Sequence, residues 1–276
     1  MTPSDPPESR SPAPTSPFDA QAPSWDASSR APLGQLRCDL VLHYLGAHLR
    51  DRAEPLAVLD AGAGTGSYAL PLAQQGHQVS LLDVSDRMLA FARRNAEELD
   101  AGLLERLAFC QAPAVDSPAR FGPDRFDLIL CHTLLEYVPN PETLLRSLVA
   151  TLKPGGLLSL LAVNPHADAL RWALSKGDLL EARRALGQTR SGTTLFGVNR
   201  HVYDRRVLQE MLGGVGLEVR ATYGVRIFAE YLDEERLVEP ASRAQLWELE
   251  EAAGRMSPYA RIGRYNLLVG LKPKEK

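Results

Sequence analysis

Residues 56–75 read LAVLDAGAGTGSYALPLAQQ: an apolar run, a glycine-dense turn and an apolar-periodic stretch in immediate succession. Such a stretch passes from a strand to a helix through a very tight turn. The apolar run is short and lacks polar alternation, so it fits a strand buried on both faces. The turn, Asp60-Ala61-Gly62-Ala63-Gly64-Thr65-Gly66, sets three glycines two residues apart behind an acid. Glycines there let the backbone approach a bound molecule with no Cβ in the way.

The β–α unit then repeats. Residues 78–82 form a second apolar run ending in Asp83, and Ser85 is placed to cap a helix over 86–98. Further strands are predicted at 107–111, 126–131 and 157–163, with a helix at 142–151 and a Pro154-Gly155-Gly156 turn. This alternation predicts an α/β, Rossmann-like parallel sheet with helices on both faces. Two interruptions follow. Residues 166–200 predict one helix (168–186) and a Gly/Thr/Ser-rich loop, and 228–262 predict acidic helical structure. Between and after them come a helix at 204–213 and strands at 217–223 and 265–271. The interruptions are material for a cap over a ligand site. Ahead of everything, residues 1–30 are rich in Pro, Ser, Ala and Asp and read as a disordered tail. That leaves 31–276 as one domain, a length that buries a sizeable core.

Asp83 follows the glycine turn by about 20 residues, the spacing at which a carboxylate accepts both hydroxyls of a ribose. The turn itself is GxGxG, not the GxGxxG that seats a pyrophosphate on a helix N-terminus. Together they point to a nucleoside cofactor without a phosphate contact.

The Asp60–Gly66 turn resembles motif I of class I S-adenosylmethionine (SAM)-dependent methyltransferases, and Asp83 resembles their ribose acid. That resemblance implies a seven-stranded sheet with its last strand antiparallel, helical cap insertions after strands 5 and 6, and SAM as cofactor. The end of the fourth strand, Cys131-His132-Thr133-Leu134-Leu135-Glu136-Tyr137, lacks the Asn-Pro-Pro-Tyr pattern of enzymes that methylate exocyclic base amines. A closer resemblance covers about 34–272. The pieces GQLR (34–37), QGHQVSLLDVSDRML (75–89), LILCHTLLEYVPNP (128–141), LKPGGLLSLLAVNPHA (152–167), YGVRIFAEYL (223–232) and SPYARIGRY (257–265) are similar, in order, to the bacterial tRNA 5-carboxymethoxyuridine methyltransferases. These esterify the carboxymethoxy group of a wobble uridine.

Residue by residue, the resemblance implies that Arg37 holds the SAM carboxylate from the first helix. It implies that Asp60, Gly62, Ala63, Gly64 and Gly66 form the cofactor turn. Asp83 then takes the ribose, Ala112 and Pro113 flank the adenine, and His132 is the fourth-strand contact. Pro113 departs from the family's Ala-Gln pair and has no amide side chain or N–H to offer. Adenine recognition there is expected to rest on the Ala112 backbone or on packing. A carboxylate acceptor is already ionised at pH 7, so it needs orientation by a guanidinium and no general base. The candidates are Arg226, Arg200 and Arg264, with Tyr203 and Tyr265 as hydroxyl donors.

Residues 165–226 hold ten Lys and Arg against six acids, a polarity suited to phosphate contacts with a tRNA anticodon loop. Trp172, Phe196, Tyr203 and Phe228 are candidates for stacking a splayed base. The loop 187–203 departs from the family's lysine-rich stretch, which keeps a small-molecule O- or C-methyl acceptor as the alternative partner. Cys38, Cys110 and Cys131 form no metal-ligand spacing and are expected to be reduced thiols in the cytoplasm. No apolar run approaches the ~20 residues of a membrane span.

Overall fold

The computed structural model describes residues 16, 18–52, 55–188, 190–192 and 199–274. The chain enters through a 3-10 turn (Asp19–Gln21) and helices α1 (Ala22–Arg30) and α2 (Pro32–Leu49). Then come β1 (Ala57–Ala61), α3 (Ala69–Gln74), β2 (Gln78–Asp83), α4 (Asp86–Leu99), β3 (Leu107–Gln111), α5 (Ser117–Phe121), β4 (Phe126–His132), α6 (Pro141–Thr151) and β5 (Leu152–Val163). After β5 lie α7 (Pro165–Leu174), α8 (Leu179–Ala185) and a small hairpin, β6 (Arg190–Gly192) with β7 (Asn199–His201). The sheet resumes with α9 (Arg205–Gly214) and β8 (Glu218–Val225). It pauses for α10 (Glu234–Val238) and α11 (Pro240–Arg255), and ends with β9 (Tyr265–Leu271).

The seven-stranded sheet runs β3-β2-β1-β4-β5-β9-β8. Strands β3, β2, β1, β4 and β5 are mutually parallel, and β9 pairs antiparallel with β5 and β8. Alternate strand residues feed two apolar layers. Val58, Leu128 and Leu161 face α2, α3, α4 and α11, whereas Leu59, Ile129, Leu158 and Leu268 face α6 and α9. All seven of these strand side chains are fully buried, so the sheet is covered on both sides as the unbroken apolar runs required. The helices start where the sequence supplies an acceptor: Ser85, Asn140, Asn164 and Asp204 each take a first-turn N–H.

Four expectations need correction. The tail is folded from Phe18 onward; residues 1–15 lie outside the described residues. Pro23 sits in the first turn of α1, where its missing N–H costs nothing. Ala22 is fully buried on Met88, with Phe18, Trp25, Phe91 and Tyr137 packed around them. The predicted 168–186 helix is two helices, broken at Ser175–Asp178 where Gly177 turns left-handed at φ +65°. The fifth strand starts at Leu152, because the Pro-Gly-Gly segment continues it beside a register shift between Phe126 and Leu128. The first insertion also carries the β6–β7 hairpin.

Candidate active site

The carboxyl ends of β1, β2, β3 and β4 open into a cavity lined among others by Gly62, Gly64, Asp83, Ala112, Leu134 and Tyr137. The N–H groups of Gly62 and Ala63 donate to Leu82 O at 2.8 and 3.2 Å, fastening the glycine turn to β2. Gly64 (φ +54°) donates to Asp83 Oδ2 at 2.8 Å, and Ser85 N–H donates to Oδ1 at 2.9 Å. A Cβ at Gly64 would lie 2.9 Å from Trp25 Nε1, and one at Gly66 would meet Ala92 at 3.2 Å. The turn therefore excludes side chains on both flanks: α1 crosses one and α4 packs on the other. Burial pushes the Asp83 carboxyl above its usual range, and its bonds to the Ser85 and Gly64 amides pull the other way.

Below the turn, buried polar atoms stand without partners. Asp60 Oδ2, Arg37 Nε, the Tyr68 hydroxyl and His132 Nδ1 make no hydrogen bond. Burial, reinforced by Asp83, pushes Asp60 up to about 7. Arg37 is 7% exposed, lies 5.7 Å from the Trp25 ring and 5.5 Å from the Tyr265 ring, and pairs with no carboxylate among the described residues. Tyr68 lies within the charge field of both Arg37 and Asp60, and its ring meets His132 edge-on at 4.4 Å. Buried polar groups are nearly always partnered, so such a cluster marks a place for a ligand. A cation with no carboxylate partner and a carboxyl with one free oxygen are the complement of the amino-acid end of SAM, which carries one carboxylate and one ammonium. The residues present fit the cofactor.

The cavity is closed by the segment that composition read as a tail. Trp25 and Phe18 line it, the Phe18 ring meets Tyr137 edge-on at 5.7 Å, and the Ser85 hydroxyl donates to Asp19 Oδ1 at 2.5 Å. Asn95 Nδ2 donates to Asp26 Oδ1 at 2.7 Å, anchoring α1 to α4. Ala112 lines the cavity but commits its N–H to Asp83 O at 3.0 Å. Pro113 is exposed and lies outside the wall, where Ala114 takes its place.

Across β4 and β5 the side chains change character. His132 shares a hydrogen bond between Nε2 and the Ser159 hydroxyl at 2.9 Å. Burial, and then the Arg37 charge, push it down to about 3, so it stays a neutral ring. Beyond it, Tyr265 sits at the mouth of three strands, in register with Val163 and Val225. Arg37 donates to its hydroxyl at 3.4 Å, and Arg226 lies 5.5 Å from its ring. Burial pushes Tyr265 up, but the charges of Arg37, Arg226 and Arg264 outweigh burial and bring it down to about 8.

Arg226 and Arg264 are therefore brought together, each 9% exposed and each held by an acid. Arg226 pairs with Glu230, and Arg264 Nη1 donates to Asp168 Oδ1 at 2.5 Å. Arg226 has a left-handed backbone (φ +58°), uncommon outside glycine, and is held there by its surroundings. The N–H groups of Ile227, Phe228 and Ala229 all point at the buried Glu250 carboxylate, at 2.7–3.0 Å. Arg200 hydrogen-bonds Tyr137 in the cavity wall and lies within reach of the Glu136 charge. Glu136 accepts Val163 N–H at 2.7 Å and keeps a second, buried oxygen unpartnered. Tyr203 sits elsewhere, along a second cavity beside His166 and His201. Phe196 lies outside the described residues.

Asp168, Glu230 and Glu250 carry no site signal in the sequence, and Trp25, a tail aromatic able to dock, is expected there to be solvated. Glu250 stands in sequence between the exposed Glu248 and the half-buried Glu251, and α11 packing on β8 distinguishes it.

A sheet of this order, with a glycine turn and Asp83 at the carboxyl ends of its central strands and Asp60 and Arg37 buried beside them, is that of a class I SAM-dependent methyltransferase. A family model described as a methyltransferase domain matches residues 59–160. The tRNA 5-carboxymethoxyuridine methyltransferase of Escherichia coli is 32% identical over 244 residues, covering 88% of this chain and 90% of that one. The chain belongs to that methyltransferase family. A ubiquinone biosynthesis O-methyltransferase from Azoarcus sp. is 31% identical over 157 residues, 56% of this chain and 64% of its own. A solved SAM-dependent methyltransferase, a possible histamine N-methyltransferase from Thermotoga maritima, shares the fold. Its TM-score is 0.60 at 18% identity, covering 93% of this chain and 98% of that one. No helix among the described residues is long and apolar enough to cross a membrane.

Proposed function

We propose that this enzyme esterifies the carboxylate of a 5-carboxymethoxyuridine at the wobble position of tRNA. The observation that carries the reading is the convergence of Arg226 and Arg264 on Tyr265, next to the cofactor crevice. When bound, SAM supplies an electrophilic methyl group on a sulfonium. Arg37 and Asp60 bind its amino-acid end, and Asp83 binds the ribose hydroxyls. Trp25 and Phe18 cover the crevice and exclude water. Arg226 and Arg264 orient the acceptor carboxylate, and Arg200 extends the positive field towards Tyr137. Their acid partners fix the guanidiniums in place, so orientation is established before the acceptor arrives. An ionised carboxylate gives up no proton, which suits a site whose histidine is held neutral.

The E. coli relative's name supports the tRNA acceptor, and such a substrate places the reaction in the cytoplasm. The ubiquinone relative covers only 56% of the chain, so a small-molecule acceptor has the weaker support. The test is mass spectrometry of nucleosides from host tRNA with and without the gene. Loss of the methyl ester with gain of the free acid is expected. An unchanged nucleoside profile overturns the tRNA acceptor and leaves the SAM site standing.

A further inference from the structure

The first insertion holds a feature that methyl transfer does not use. A cavity of about 310 Å³ lies between α7, α8 and the segment 201–207, with Pro165, His166, Leu186, His201, Val202 and Tyr203 in its wall. Its size falls in the ~300–1,000 Å³ range of small-ligand sites. The His201 and Tyr203 rings lie nearly parallel, 20° apart in plane with centroids 6.4 Å apart. His201 is exposed, whereas Arg200 beside it reaches the other way to Tyr137 in the wall of the cofactor cavity. Alternation along β7 therefore sets one side chain towards the reaction site and the next on the outer face. The two sites share a wall: β7 packs on the turn Leu135–Tyr137, and the Tyr203 hydroxyl lies within reach of the Glu136 charge.

The rim carries charge of both signs, and Asp204 in the wall accepts Val207 N–H at 3.0 Å. Arg183 and Arg184 are exposed and directly precede Ala185 and Leu186 of the wall, and Arg206 is exposed beside Val207 on its other side; Arg184 is paired with Glu181 and Arg206 with Glu210. Two flat rings facing a recess are what an unpaired base requires as a stack, and Arg183 is the exposed cation beside the wall for its phosphate.

We infer that this cavity is a subsite for an unpaired nucleotide flanking the target uridine, its base stacked on His201 and Tyr203. The inference rests on the tRNA reading and adds to it where the RNA runs after leaving the methylation site. Tyr203 then contributes a ring face and not a hydroxyl to the reacting group.

The test uses the full chain and an anticodon stem-loop RNA carrying 5-carboxymethoxyuridine, with 2-aminopurine at a flanking loop position. His201→Ala is expected to raise the KM for the stem-loop about tenfold, the size of losing one base–aromatic stack. The kcat at saturating RNA and the SAM Kd stay within twofold. His201→Phe, which keeps a flat ring, restores the KM. Binding to the wild type quenches the 2-aminopurine, and binding to His201→Ala does not. An unchanged KM with unchanged quenching in His201→Ala overturns the subsite. So does a loss confined to kcat, or a KM that Phe fails to restore. A wild-type enzyme that leaves the stem-loop unmethylated overturns the tRNA reading itself, a separate result seen before any variant is made.

Discussion

The two halves of the active site are built by different means. On the β1–β2 side, the chain makes the cofactor site largely from backbone, within one stretch from Asp60 to Ser85. Gly62 and Ala63 N–H groups fasten to Leu82 O, and Gly64 N–H fastens to Asp83. On the β5–β9 side the site is made of long side chains from remote segments. Arg200, Arg226 and Arg264 come from β7, the turn after β8 and the start of β9. Each of the last two is held by an acid, Arg226 by Glu230 four residues on and Arg264 by the remote Asp168. A backbone site is rigid once its turn forms. A guanidinium site is as precise as its partners make it, which is why Glu250 grips three successive N–H groups just after Arg226.

The sharpest way to break this division is Arg226. Arg226→Ala is expected to raise the acceptor KM about thirtyfold or more, the loss of a charge-assisted hydrogen bond of ~2 kcal/mol. The SAM Kd stays within twofold. Glu230 is then left buried without its partner, so Tm falls as well, by the equivalent of about 3 kcal/mol. Arg226→Lys separates the two effects. It keeps a cation for Glu230 and restores much of the Tm, but lacks the planar fork and leaves the acceptor KM raised. Kinetics and isothermal titration of SAM check this. Equal shifts in SAM and acceptor affinity mean that the halves are one unit joined through Tyr265.

A smaller effect is expected where α1 crosses the division. Trp25→Ala opens the cavity beside Gly64 and removes a ring from Arg37, so the SAM Kd rises about tenfold. The acceptor KM at saturating SAM changes little. An unchanged SAM Kd would mean that α1 packs beside the site without serving it.

The same division decides what could be read from the sequence. The DAGAGTG turn and Asp83 are legible because the chemistry lies in local spacing, and the strand runs are legible because a doubly covered sheet needs unbroken apolar segments. GVRIF and GRY pointed to Arg226 and Arg264 by resemblance. Glu230 stands four residues from the Arg226 it pairs with, a local spacing, whereas the hold of Asp168 on Arg264 depends on how α7 comes to lie beside β9, which no spacing encodes. Residues 18–30 were misread for a related reason. Pro23 and the small residues around it look like linker, yet proline starts a helix well, and Phe18 and Trp25 supply the anchor through contacts with residues far along the chain.

The finest test concerns protons on the backbone-built side. Asp60 is pushed up to about 7 against an ordinary 3.8, by burial and by Asp83. The folded protein thus holds this proton more tightly than the unfolded chain. Its contribution to stability is complete below the unfolded value and is lost as pH rises through about 7. The apo protein should therefore lose Tm between about pH 5 and 7.5. An ammonium placed against the Asp60 carboxyl favours its charged form, so SAM binding expels the proton. The SAM Kd is expected to fall several-fold from about pH 5.5 to 7.5 and then level off. Above that Tyr265, at about 8, begins to ionise beside Arg37 and competes for the same cation, so affinity declines again. His132, at about 3, contributes nothing in this window. Titration calorimetry across pH, repeated in buffers of different ionisation enthalpy, reads both the affinity and the proton released. Asp60→Asn should bind SAM more weakly and without the acid limb. If the limb persists in Asp60→Asn, the proton belongs to Asp83 and the ribose side of the crevice, and the unpaired oxygen of Asp60 has another use.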